Sequence, residues 1–248
     1  MSDKLYIVIP AYNEEKNIEN CINDWYPIVE RHNGEGKSRL FIVDDGSTDD
    51  TADLLCNALK DRPLLEYHTK KNGGHGAAVL YGYRYAIEQG ADYVFQTDSD
   101  GQTEPNEFDA FWQKRDGYDA IIGERLKRGD GSGRKFVENV VCLLLRMVFG
   151  IKTRDANAPF RLMRCDKLKE YIDILPQDFN IPNIMFTTFF LYFRDRTLFI
   201  PISFNSRKEG KTSINMSKMI KIGTKAIGDF GALKKKMRVI KKGRRYEA

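Results

Sequence analysis

Apolar positions in the first half of the chain follow two rhythms in turn. Short β-rich apolar runs at 5–9, 40–43, 64–68, 92–95 and 118–122 read as buried strands. Between them apolar residues recur at helical spacing, first at Ile18, Cys21, Ile22 and Trp25, then at Ala52, Leu55, Cys56 and Leu59. A third helix is expected from the Asn72-Gly73-Gly74-His75-Gly76 loop to about Gln89. Asn13 stands where an N-cap is wanted, with Glu14 and Glu15 in the first turn, and Pro27 is expected to kink or end that helix. Strand and helix alternating through short connections predict an α/β fold, a mostly parallel sheet with helices on both faces. The second half is more mixed: a long helix over 134–149, a short strand over 160–164, an apolar helix over 184–193, a strand over 198–204 and an amphipathic helix from about Ile214.

Composition adds bounds. The chain has 248 residues, 42% hydrophobic and 30% charged, enough for one large domain with a real core and unlike a disordered or fibrous chain. No N-terminal signal stands out, and no apolar run reaches the ~20 residues that cross a bilayer. The windows 136–149 and 181–193 are too short and carry charges or Asn. A soluble or peripheral protein is therefore expected. Cys21, Cys56, Cys142 and Cys165 form no CxxC or Cys/His cluster, which suits core thiols in a reducing compartment. The net charge of +5 is unevenly spread: residues 211–248 hold 12 Lys and Arg against 2 acidic residues, a tail of +10 on a body of −5. Such a tail expects an anionic surface, lipid or nucleic acid.

The candidate chemistry gathers at strand ends. Asp98-Ser99-Asp100 follows the fourth strand, and two carboxylates one residue apart suit Mg2+ or Mn2+, which keep waters and take substrate phosphates as further ligands. In open α/β sheets ligands sit beyond the carboxyl ends of the strands. The loops at 10–14, 44–48, 72–76 and 98–102 all fall on that edge. Asp45 and Glu14 are placed there to accept hydrogen bonds from a base or ribose, and Gly73, Gly74 and Gly76 to let backbone N–H groups approach a phosphate at a helix N-terminus. Each loop alone also reads as an ordinary turn. Four anion- or metal-suited loops on one edge favour a nucleotide-diphosphate site.

Three motifs then carry a resemblance: Ile9-Pro10-Ala11-Tyr12-Asn13-Glu14-Glu15, Val43-Asp44-Asp45-Gly46-Ser47-Thr48-Asp49-Asp50-Thr51, and Asp98-Ser99-Asp100. In this order and spacing the chain resembles the family 2 glycosyltransferases of GT-A (Rossmann-like) fold over about residues 4–210. Ile122-Gly123-Glu124-Arg125, the stretch from Asp155 to Arg161, and Arg207-Lys208-Glu209-Gly210-Lys211-Thr212-Ser213 resemble the dolichyl-phosphate mannose synthase and polyprenyl-phosphate glycosyltransferase branch. The resemblance implies that Pro10, Tyr12, Glu14, Asp45, Gly74 and Asp98 hold the nucleotide-sugar, with Arg207 and Lys211 closing over it. It implies a metal site of Asp98, Asp100 and Gln102, and an acceptor-phosphate site of Arg125 and Arg134. The chain departs from the branch at Pro159 (usually Gly), at His75 (often Lys) and at Glu138, where a small hydroxyl residue is expected.

The resulting expectation is an inverting, Mg2+- or Mn2+-dependent glycosyltransferase, in which Asp100, Arg125 and Asp155 carry the chemistry. It would move sugar from a UDP- or GDP-sugar to polyprenyl phosphate at the cytoplasmic membrane face. Transfer to a hydroxyl of a cell-surface glycan or other saccharide is the alternative, and it needs a base, for which Asp155 or Glu124 is the candidate. Residues 1–210 would form the catalytic domain. Residues 211–248 would form a basic amphipathic segment on an anionic membrane, or else a core-docked helix with a basic tail. A membrane-protein partner or homo-oligomer fits that picture, and nucleic acid does not. A phosphorylation receiver would explain Asp44-Asp45 but has no use for Asp98 and Asp100.

Overall fold

The computed structural model describes residues 3–33, 37–125, 132–206 and 216–244, with backbone alone for 132–136, 216–227 and 244. The chain runs β1 (Leu5–Ala11), α1 (Ile18–Arg31), β2 (Arg39–Asp44), α2 (Thr51–Ala58), β3 (Leu65–Thr69), α3 (His75–Glu88), β4 (Tyr93–Thr97), α4 (Phe108–Trp112) and β5 (Ala120–Arg125). It continues through α5 (Ser132–Phe149), β6 (Phe160–Arg164), α6 (Cys165–Ile172), α7 (Pro182–Phe193), β7 (Thr197–Ile202) and α8 (Met216–Arg244). The seven strands form one sheet in the order β3-β2-β1-β4-β6-β5-β7. Every neighbouring pair is parallel except the two made by β6, which runs antiparallel to both β4 and β5.

Alternation along the strands splits the core into two layers. Leu5, Ile7, Ile9, Leu40, Ile42, Phe95 and Leu162 face α1, α2 and α4. Tyr6, Val8, Phe41, Val43, Val94 and Met163 face α3, α6 and α7, with parts of α5 and α8. This is the period of two that puts successive side chains on opposite faces. Behind β4 the first layer is aromatic: Phe95 meets Phe160 at 4.7 Å, Phe108 at 4.9 Å and Trp25 at 5.3 Å between ring centres. The strand carrying the paired carboxylates is thus backed by a rigid apolar wall.

Several boundaries differ from the sequence reading. α1 starts at Ile18, because Asn13 takes a left-handed conformation (φ 53°) and spends its side chain on Thr48 N–H at 2.8 Å rather than on a helix cap. Pro27 neither ends nor shortens α1, which continues to Arg31 with Tyr26, Ile28 and Val29 buried on either side of the proline. α6 is an element the periodicity did not reveal: its eight residues hold only Cys165, Leu168, Tyr171 and Ile172 as a buried face among Asp, Lys and Glu. Cys21 and Cys165 are buried free thiols, whereas Cys56 is exposed, against the expectation of a core position. In α8, Phe230, Leu233 and Met237 are buried, and Phe230 lies 5.6 Å from the Phe149 ring of α5. The expected boundary at 210/211 lies outside the described residues. Among the described residues no helix is long and apolar enough to cross a membrane.

Close approach of α3 to the sheet depends on Gly82. A Cβ built there would lie 2.3 Å from Val8 Cγ1 on β1 and 3.3 Å from Val43 Cγ2 on β2, both in the core. Gly82→Ala is therefore expected to cost about 1–3 kcal/mol in urea unfolding. Gly117→Ala, where nothing lies within 4 Å, should change stability by less than about 0.5 kcal/mol. Equal stability of the two variants would refute this account of how α3 is seated.

Candidate active site

The carboxyl ends of β2, β1 and β4 lie side by side, so Asp44, Tyr12 and Asp98 leave the sheet along one edge. Thr97 is the last residue of β4, and Asp98 begins the turn that follows. Asp98 Oδ1 accepts the Gln96 side-chain N–H at 3.1 Å and stands 3.8 Å from His75 Nε2. Asp100 Oδ1 accepts the Gln102 backbone N–H at 3.2 Å. Both carboxylates are partly exposed. Among the described residues no group of three or more His, Cys, Asp or Glu is spaced to hold a metal ion by itself. Two carboxylates without a protein cage fit a hard cation that completes its shell with diphosphate and water. Gln102 is held by its side-chain N–H, which donates to the Asn205 carbonyl at 2.7 Å and leaves its Oε1, the atom a cation would take, on the other side of the amide. His75, noted in the sequence as a departure from the branch where Lys is frequent, faces the Asp98 carboxylate.

On the donor side the structure redirects two expectations. Asp45 is buried and turned inward, accepting Gly73 N–H at 3.0 Å, Gly74 N–H at 2.7 Å and the Lys70 ammonium. Its carboxylate therefore organises the glycine loop, and the N–H groups of Gly73 and Gly74 are spent on it. Gly76 serves packing: a Cβ there would lie 2.2 Å from the Phe179 carbonyl oxygen. Its neighbour Asp44 holds Ser47 N–H through Oδ1 at 3.0 Å, while Oδ2 is the one buried side-chain atom among the described residues with no hydrogen-bond partner. A buried acceptor left unpaired at a sheet edge asks for an explanation. Pro10 is buried in β1 opposite Val43, and Tyr12 is exposed. Glu14 is nearly buried and accepts the Asn17 side-chain N–H at 2.6 Å. The 12–15 and 47–51 loops are closed on one another: Asn13 N–H donates to Ser47 Oγ at 2.9 Å, and Glu14 N–H to Thr51 Oγ1 at 2.9 Å.

The acceptor side is built on an ion pair. Arg125, at the end of β5, forks onto Asp155 with Nε–Oδ2 at 2.6 Å and Nη2–Oδ1 at 2.9 Å, and Nη2 also approaches Glu138 at 3.5 Å. Its guanidinium lies 4.9 Å from the Phe204 ring centre. Asp155 is buried and also accepts the backbone N–H of Asn157 at 3.0 Å and of Arg125 at 3.3 Å. Burial works against its ionisation, but the Arg125 pairing outweighs it and holds the carboxyl below its usual range. This corrects the expectation that Asp155 stands ready as a base: with its oxygens occupied and its charge matched, it is a poor proton acceptor. Glu124 is mostly covered and lies 3.7 Å from Arg154. Arg125 keeps Nη1 without a hydrogen bond among the described residues. The Arg134 side chain, Arg207 and Lys211 lie outside what the structure describes.

The stem that leads toward Arg207 is fixed. Asn205 N–H donates to the Gln102 carbonyl at 2.8 Å, its side chain donates to Glu104, and Ser203 N–H donates to both Glu107 oxygens at 3.0 and 3.1 Å. The loop holding Asp100 and residues 203–205 are thus one unit. Beneath the edge lies a polar cluster that the sequence did not announce. Arg161 is fully buried, donating to the carbonyls of Ala158 at 2.8 Å and Asn183 at 2.9 Å. Burial lowers its pKa, and the charges of Asp155 and Asp98 draw it back up. Asn183, on α7, in turn donates to Gln96 Oε1 at 3.1 Å. Nothing in local spacing links positions 87 residues apart.

Comparison with known proteins adds the family. The chain is 33% identical over 143 residues to a UDP-N-acetylglucosamine–dolichyl-phosphate N-acetylglucosaminyltransferase of Methanococcus voltae, covering 51% of this chain and 54% of that one. It is 27% identical over 189 residues to an undecaprenyl-phosphate 4-deoxy-4-formamido-L-arabinose transferase of Salmonella paratyphi B, covering 71% and 56%. The chain thus spans about half the length of the relatives it matches. Among solved structures, glucosyl-3-phosphoglycerate synthase from Mycobacterium tuberculosis superimposes with a TM-score of 0.66 at 18% identity, covering 93% of this chain and 80% of that one. S. aureus TarS in complex with UDP-GlcNAc gives 0.61 at 19% identity, covering 92% and 66%. At these identities the likeness is one of fold. The "Glycosyl transferase family 2" model matches residues 6–172, about two thirds of the chain, and takes in β1 to β4 with the Asp98-Ser99-Asp100 loop; on that ground the chain belongs to glycosyl transferase family 2.

Proposed function

We propose that this chain is an inverting, divalent-metal-assisted glycosyltransferase that moves a sugar from a UDP- or GDP-sugar to a polyprenyl phosphate at the cytoplasmic membrane face. The observation that carries the reading is the pairing of Asp98 and Asp100 on a fixed turn at the end of β4, beside the donor-side loops of β1 and β2. When bound there, Mg2+ or Mn2+ would neutralise charge growing on the leaving diphosphate. Asp98 and Asp100 would hold it, and the stem at 203–205 would place Arg207 and Lys211 over the donor. The M. tuberculosis synthase of like fold crystallises in complex with Mn2+ and uridine-diphosphate-glucose, which supports this cofactor and donor class.

The acceptor is read from the Arg125–Asp155 pair. A phosphate acceptor is already ionised near neutral pH and attacks without a strong base, whereas a sugar hydroxyl needs one within hydrogen-bond reach. The two candidate bases, Asp155 and Glu124, are each engaged by an arginine. The Nη1 edge of Arg125 suits a phosphate oxygen. The M. voltae and Salmonella relatives, a dolichyl-phosphate and an undecaprenyl-phosphate transferase, support the same side. On the donor, Asp44 Oδ2 is the acceptor we assign to a ribose or base N–H or O–H; it is covered by protein, so a side-chain shift accompanies binding.

A membrane surface fits the outer side of α5. Val140, Leu143 and Met147 form one exposed row at helical spacing, 40%, 55% and 65% exposed. Exposed Arg146 on α5 and Lys235, Arg238 and Lys242, at helical spacing on neighbouring α8, supply positive charge. Apolar side chains flanked by cations suit an interface with anionic lipid.

Three outcomes test these readings. In a screen of UDP- and GDP-sugars with Mn2+, nucleotide release should depend on a short polyprenyl phosphate and fall by about 100-fold or more in Asp100→Ala. Donor binding without lipid-dependent turnover would shift the reading to a hydroxyl acceptor, and no donor binding would overturn it. By calorimetry, Asp44→Asn should weaken nucleoside diphosphate binding about tenfold with little change in Tm. Asp45→Asn should instead cost about 1–3 kcal/mol of stability, and the reverse pattern would exchange their roles. In sedimentation with vesicles containing anionic lipid, Leu143→Glu with Met147→Glu should bind at least about tenfold more weakly than the parent chain. Unchanged binding would remove α5 from the membrane surface.

A further inference from the structure

The described residues include one fully buried polar path that ends on a metal-site carboxylate. Gln96 is inaccessible to solvent and lies on the α3 and α7 side of β4, one position before Thr97. Its side-chain N–H donates to Asp98 Oδ1 at 3.1 Å, and its Oε1 accepts from Asn183 Nδ2 at 3.1 Å. Asn183 is held twice in turn: its carbonyl accepts from Arg161 at 2.9 Å and its Oδ1 faces the Tyr83 hydroxyl at 3.5 Å. Arg161 stands opposite Gln96 in the β4–β6 register, so sheet and helix fix the path from both ends.

We propose that Gln96 and Asn183 are positioning residues that set the rotamer of Asp98 for its cation. The inference rests on the reading of Asp98 as a metal ligand. The path has one direction. With Asn183 Nδ2 turned to Gln96 Oε1, the Gln96 amide presents its N–H groups to Asp98. A flipped Gln96 would set oxygen against the Asp98 carboxylate and N–H against the Asn183 N–H, two unfavourable contacts where water cannot compensate. Asp98 Oδ1 is therefore held toward Gln96, and Oδ2 is left as the oxygen without a hydrogen bond among the described residues. Hydrogen bonds behind a ligand fix its orientation in this way in metal sites generally, and their loss weakens metal binding about 10–100-fold.

The test is Mn2+ binding by the full chain, read from the electron paramagnetic resonance signal of free aqua Mn2+, with Tm recorded for each variant. Gln96→Met removes the donor without adding charge, and Asn183→Leu removes the residue that orients Gln96. Thr188→Val takes away another buried α7 hydroxyl, which bonds the Ile184 carbonyl at 2.8 Å and makes no hydrogen bond to Gln96, Asn183, Arg161 or Asp98 among the described residues. The expected result is a dissociation constant raised about tenfold in Gln96→Met and Asn183→Leu, unchanged in Thr188→Val, with binding lost in Asp98→Ala. Wild-type affinity in Gln96→Met while Asp98→Ala binds no Mn2+ would overturn the proposal and leave the metal site standing. An equal loss in Thr188→Val would assign the effect to packing and also overturn it. Wild-type affinity in Asp98→Ala would remove the ligand reading itself, and the proposal with it. Should Asn183→Leu not fold, Gln96→Met decides alone.

Discussion

The site depends on a cation that has no water around it. Arg161 is fully buried on β6, and its guanidinium is surrounded by backbone carbonyls rather than by a carboxylate in contact. A buried charge is tolerated only when its donors are all met. Here the acceptors come from the 156–158 loop and the first turn of α7, so burying Arg161 fixes both to β6. The direction of β6 makes this matter. Because it runs antiparallel to β4, its first residue, Phe160, pairs with the last residue of β4, Thr97. The segment before β6 therefore arrives at the carboxyl edge of the sheet, and Asp155 comes with it to meet Arg125.

The loops of that edge are joined chiefly to one another. Asp45 closes the glycine loop, Asn13 and Glu14 close on the loop after β2, and Gln102 with Glu104 and Glu107 holds the stem after β7. Each contact satisfies a polar group that a loop would otherwise leave to water. Together they make the donor-side edge a preformed surface, so that less ordering remains to be done when a ligand binds.

What was legible in the sequence follows from range. Strands β1 to β4 announced themselves through apolar runs, and the Asp98-Ser99-Asp100 turn through residue chemistry alone, because both are local. Asp45 was legible as a residue of the edge but not in its direction. Whether a strand-end carboxylate turns outward or back onto a loop 28 residues later is decided by packing. Gln96, Asn183 and Arg161 were illegible for the same reason, since their partnership exists only when α7 is laid on β4. Pro27 does not end α1 because the penalty for proline in a helix is local, whereas the burial of Tyr26, Ile28 and Val29 that offsets it is not. His75 was legible as a departure in the glycine loop, but nothing in its neighbours in sequence places it against Asp98.

Charge balance ties the acceptor reading to the rest of the molecule. Arg125, Asp155 and Glu138 together carry a net negative charge, so that cluster alone does not attract an anion. Positive charge must come from elsewhere, and the chain holds it in the Lys- and Arg-rich stretch of 211–248 on an otherwise acidic body. In the proposed reading, a lipid phosphate delivered at a membrane would bind the Nη1 side of a guanidinium that is 5% exposed and whose other edge is fixed by Asp155, so Nη1 would be uncovered on binding. A neutral sugar hydroxyl would gain nothing from that cationic side and would find the two carboxylates able to deprotonate it committed to arginines. In the proposed reading, the ion pair that occupies both Asp155 oxygens would also hold Arg125 rigid toward a phosphate, and rigidity in a cationic ligand favours an acceptor that arrives already charged.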